Sequence, residues 1–156
     1  MKNFPDLTQG LQATLLHATR GYTLTTRSTI LVPVDKVAAI EAKFIETYGT
    51  NLPAWKRYER KSKKLPNAVG VVIPVLGNPH QRQVILLCTP FDETHLRSLS
   101  DRNPFLHESW SRDIRAGDFE IVNDVRDRGD HAMTWKLKKS AYISFEKHIQ
   151  NRQRNG

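Results

Sequence analysis

Apolar positions spaced three to four apart open the chain: Leu7, Leu11, Leu15 and Ala18 predict a helix over residues 7–20, with Gly21 as its stop. Gly10, a poor helix former, interrupts that pattern. Over residues 22–32 the period changes to two, with Tyr22, Leu24, Thr26, Ser28, Ile30 and Val32 on one face, which predicts a strand rich in β-branched residues. A second helix follows Pro33, with Asp35 as the expected N-cap, Gly49 as the stop, and an apolar stripe of Val37, Ile40, Phe44, Ile45 and Tyr48.

Residues 68–76 (AVGVVIPVL) and 84–88 (VILLC) do not alternate, and such runs predict strands buried on both faces in the middle of a sheet. Residues 77–83 are expected to join them as a hairpin connection, and Pro74 predicts a bulge or an edge. A short helix beginning at Asp92 or Thr94 should run to residue 99. Residues 100–117 lose periodicity and are expected to form a packed loop with one helical turn. Strands are predicted at 119–125 and 132–138 around a turn at 126–131, where Gly129 is the permissive residue; Met133, Trp135 and Leu137 face the core and Thr134, Lys136 and Lys138 face away. A last helix from Ser140 would pack Ala141, Phe145 and Ile149 inward and fray over 151–156. The expected fold is α+β, a single domain with a mixed, largely antiparallel sheet of about five strands packed by three to four helices.

Composition restricts the classes available. The 156 residues include 38% hydrophobic positions, enough for an ordinary core, and no apolar run approaches the roughly 18 residues of a membrane-spanning helix. The first residues lack the apolar stretch of a secretory signal, and a single cysteine, Cys88, excludes an internal disulfide. A cytoplasmic protein without a membrane partner is expected, and no cofactor motif is found.

Charge changes the picture more. The net charge of +8 resides in two segments: residues 51–66 carry six basic residues against Glu59, and residues 132–156 carry six against Glu146. The remainder is nearly neutral. In the first segment, Trp55 and Tyr58 stand among Lys56, Arg57, Arg60, Lys61, Lys63 and Lys64; if helical, it places Trp55, Tyr58 and Ser62 on one side. Cations interleaved with aromatics suit a phosphate backbone whose bases can stack. In the second, Lys136, Lys138 and Lys139 adjoin Arg126 and Arg128 of the turn, giving a strand with one cationic side. The same lysines would also protect an exposed strand from edge pairing.

The expectation is an accessory, non-catalytic protein that binds nucleic acid, DNA or RNA, through residues 55–64 and 126–139. Two alternatives use the same residues differently. One is a small metal-dependent nuclease in which Asp118 and Glu120 share a strand face and hold Mg²⁺. The other is an adaptor whose basic surfaces meet an acidic protein partner. Glu41 and Lys43 read as an exposed pair on a helix. His80, His95, His107 and His131 lack the spacing of zinc ligands, and Cys88 in an apolar strand is expected to be an inert thiol.

Overall fold

The computed structural model describes residues 1–26, 30–125 and 131–137. The predicted final helix from Ser140, the frayed tail, Arg126, Arg128, Lys138 and Lys139 lie outside these residues. The chain forms two compact units, Met1–Ile114 and Arg115–Gly156. The larger unit contains β1 (Lys2–Asn3), α1 (Leu7–Thr19), β2 (Leu24–Thr26), β3 (Ile30–Pro33), α2 (Val37–Tyr48), α3 (Ala54–Ser62), β4 (Ala68–Val75), β5 (Asn78–Cys88), α4 (Glu93–Leu99) and β6 (Trp110–Ser111). The smaller contains β7 (Arg115–Ala116), β8 (Phe119–Val125) and β9 (His131–Leu137). The architecture is α+β, with a mixed and mostly antiparallel main sheet.

In that sheet β5 pairs with β4 on one edge and with both β2 and β3 on the other. β1 adds to β4 as a parallel strand, and β6 adds to β2. The two apolar runs are therefore central, as their lack of alternation predicts. Ala68, Val72, Val84, Leu86 and Cys88 share a core with Val37 and Phe44 of α2 and Leu96 of α4. The alternate positions Val71, Ile73, Ile85 and Leu87 are equally buried on the opposite face, where Ile73 meets α1. Helices on both faces explain why neither strand has a polar side.

Gly10 has its reason in that contact. The buried seam of α1 is Gly10, Thr14 and Ala18, with the predicted Leu7, Leu11 and Leu15 only half-buried beside it. A Cβ on Gly10 would collide with the side chain of Ile73. Small residues thus let the helix lie close on β4, and Thr14 Oγ1 returns its proton to the Gly10 carbonyl at 2.8 Å.

Several expected boundaries move. The strand expected at 22–32 is β2 and β3, both running along β5 but in registers two residues apart. Asp35 lies inside a 3₁₀ turn, Val34–Lys36, and does not cap α2, which does end at the left-handed Gly49. The connection expected at 77–83 shrinks to Leu76 and Gly77, whose φ of +79° permits the tight turn. The register then shifts at Pro74, so Pro79, His80 and Gln81 bulge from β5. Asp92 caps α4 as expected, by accepting from the Thr94 and His95 amides. The loop at 100–117 contains the expected turn, Pro104–His107, and also supplies the short strands β6 and β7. Glu41 is not an exposed partner of Lys43; it pairs at 2.7 Å with the α-amino group of Met1.

In the smaller unit β8 pairs antiparallel with β7 and β9. Met133 and Trp135 are half-buried, but Leu137, expected to face the core, is 43% exposed at the strand's end.

Gly10→Ala tests the helix–sheet packing by its sign. Alanine normally stabilises a helix interior over glycine by about 1 kcal/mol. Here overpacking against Ile73 should reverse this to a loss of about 1–3 kcal/mol in urea unfolding.

Candidate functional site

The segment from 54 to 62 is a helix, α3, entered from Pro53. Nothing on it is fully buried, because it has no apolar stripe to bury. Trp55 is 67% and Tyr58 76% exposed, and Lys56 Nζ stands 5.7 Å from the Trp55 ring centroid. Polar bonds at its C-terminal end fasten α3 to the body. Arg60 donates through both Nε (3.1 Å) and a terminal nitrogen (2.7 Å) to the Pro66 carbonyl. Asn67 Nδ2 donates to the Arg57 carbonyl at 2.9 Å. His95 Nε2, 3.1 Å from the Lys63 carbonyl, must carry the proton there, since a carbonyl only accepts.

This fastening divides the expected phosphate contacts. Arg60 is anchored inside the fold, and its partial burial lowers its pKa. Lys63 is paired with Glu59 at 2.9 Å, and that bond holds the Glu59 carboxyl below its usual range. Arg57 and Lys61 lie on one side of the helix, four residues apart, Lys64 follows just past its C-terminal end, and all three are exposed. Lys56 and Trp55 occupy the outer side.

Arg57, Tyr58, Lys61 and Lys64 form one wall of a cavity of about 770 Å³. It sits where three neighbouring strands reach the same end: the start of β4 at Asn67, the exit of β5 at Thr89 and the approach to β2 at Tyr22. Asn67 and Thr89 prolong the ladder there: the Thr89 amide donates to the Asn67 carbonyl and Thr89 Oγ1 accepts from the Asn67 amide, each at 2.9 Å. Arg20 contributes a fourth cation from the end of α1. Among the described residues, no carboxylate pairs with the side chains of these four cations. Asp92 also lines the cavity, with its Oδ1 occupied in capping α4.

Aromatic residues also line the cavity. Phe91 packs edge-on against Phe105, which stacks on Trp110 and meets Tyr48. Tyr22 is set against His17 with ring centroids 5.8 Å apart. Burial lowers the His17 pKa, and the charges of Arg20, Arg57 and Lys2 lower it further. Asn67 is only 7% exposed and leaves its Oδ1 without a hydrogen-bond partner.

Sequence reading found the α3 wall but missed Arg20, Tyr22, Asn67 and Phe91. Folding brings these together from separate segments, and only the run of basic residues with Trp55 and Tyr58 at 55–64 was a local signal.

Elsewhere the candidates fare differently. Lys136 is exposed on β9 opposite Glu120, which also lies opposite Arg115, so Glu120 stands between two cations. Asp118 lies in the Gly117–Asp118 turn before β8 and does not share a strand face with Glu120 as expected. Among the described residues there is no group of three or more His, Cys, Asp or Glu able to hold a metal ion. Burial pushes the Cys88 thiol up to about 12, far from the reactive range. Also among the described residues, no helix is long and apolar enough to cross a membrane. Compared with known family models, curated proteins and solved structures, the chain matches none.

Two outcomes are expected. Lys64 has a left-handed φ of 57°, unfavourable for a side chain with a Cβ. Lys64→Gly should therefore raise unfolding stability by about 1 kcal/mol, read from denaturant midpoints. His17, lowered from 6.5, makes protonation favour the unfolded chain. Its contribution is full above 6.5 and is lost as pH falls from there through the folded-state value. The stability difference between about pH 7.5 and about pH 5 should shrink in His17→Gln.

Proposed function

We propose that this chain is a nucleic-acid-binding protein whose contact surface is α3 and the cavity mouth beside it, acting on single strands without chemistry of its own. The observation that carries the reading is a helix with a highly exposed Trp and Tyr standing beside Lys56, Arg57 and Lys61, for which no carboxylate partner is found among the described residues. Aromatic surface left in water contributes nothing to folding, whereas base stacking on it is worth about 1–3 kcal/mol per base. Lys56, Arg57 and Lys61 on the helix and Lys64 just past its end can follow phosphates, while Arg60 is engaged with the Pro66 carbonyl and Lys63 with Glu59. An acidic protein partner would use the charges but has less need of the two rings. Lys136, with Lys138, Lys139, Arg126 and Arg128 by sequence, would supply a second set of phosphate contacts.

Fluorescence anisotropy with a labelled single-stranded oligonucleotide tests this. Trp55→Ala should weaken binding about 5- to 100-fold through lost stacking. Lys56→Glu with Lys61→Glu should weaken it further and make the log–log salt slope shallower by about 0.7 for each lost phosphate contact. Wild-type affinity and slope in both variants would overturn the reading.

A further inference from the structure

Arg20, Tyr22 and Phe91 are not on α3, and a strand lying along its outer face has no need of them. With residues of α3 they line an open cavity of about 770 Å³, within the roughly 300–1,000 Å³ range of small-molecule sites. The cavity is chemically two-sided. Arg20, Arg57, Lys61 and Lys64 present positive charge, and Tyr22 and Phe91 present aromatic surface held in place by His17 and Phe105. The lining thus calls for two properties in one ligand: an anion and a flat ring.

We propose that this cavity is a pocket for a single nucleoside 5′-monophosphate unit. The phosphate is held by Arg20, Arg57, Lys61 and Lys64, and the base lies against Tyr22 and Phe91. The proposal rests on the nucleic-acid reading for its ligand class only. The same unit occurs as a free mononucleotide and at the 5′-phosphorylated end of a strand.

Isothermal titration with adenosine 5′-monophosphate, adenosine and inorganic phosphate tests the combination. The monophosphate should bind at least tenfold more tightly than either part. Arg20→Met should lose at least tenfold of that affinity while binding of a 5′-hydroxyl oligonucleotide to α3 persists. Thermal unfolding serves as the fold control, and Tyr22→Ala is the second variant should Arg20→Met not fold. At saturation the His17 imidazole, followed by NMR, should titrate at higher pH because bound phosphate offsets the Arg20 and Arg57 charges. A 5′-phosphorylated oligonucleotide binding more tightly than its 5′-hydroxyl form identifies the strand end as the source; equal binding identifies the free mononucleotide. Phosphate binding as tightly as the monophosphate, or no monophosphate binding, overturns the pocket. Oligonucleotide binding without monophosphate binding overturns the pocket alone, and the converse overturns the strand-binding reading alone.

Discussion

The larger unit depends on β5 being hydrogen-bonded along both edges and covered on both faces. Val84 to Cys88 have no polar side, so water must be excluded by β4 and by β2 with β3 laterally, and by helices above and below. That requirement sets the small-residue seam of α1, because the helix can seal the Ile73 face only by approaching closely. It also makes the end of β5 a place where protected strand gives way abruptly to exposed loop. Three chain segments leave the sheet there together, and the cavity is the space between them.

That origin explains the division of labour around the site. Phe91 follows directly from β5 and is built into the aromatic cluster of Phe105, Trp110 and Tyr48; the Tyr48 hydroxyl donates to Glu108 at 3.0 Å, and burial and that bond push it up to about 12. The aromatic wall is therefore an extension of the core. The cationic wall belongs to a helix with no core face. Rigid apolar surface and solvated charge meet across one opening because the fold supplies each by a different means.

Much of this arrangement could be read from the chain before folding. The unalternating runs at 68–76 and 84–88 identify the sheet centre because burial on two faces removes the polar half of the pattern. Gly49 marks the end of α2, Asp92 caps α4, and the charge partition isolates α3. The misreadings have physical causes as well. Gly10 is unfavourable by local propensity and favourable only once Ile73 is known to lie beneath it. Asp35 resembles a cap, but the chain first makes a 3₁₀ turn. Arg60 looks like Lys61 in a charge count, and its carbonyl partner at Pro66 emerges only when the helix folds back. Arg20, Tyr22 and Phe91 have no common motif, since their proximity is created by three strands ending together.

The attachment of α3 has a consequence for amide exchange with solvent. A helix secured by Arg60 to Pro66, by Asn67 to Arg57 and by His95 to Lys63 can detach when those bonds break, with no apolar stripe to be withdrawn from the core. Its backbone protons can therefore exchange through a local opening worth a few kcal/mol, about the net value of these four bonds. The amides of β5, in contrast, must wait for the whole sheet to come apart. One short chain thus contains two kinetic regimes, and the residues with the most exposed aromatic surface belong to the faster one.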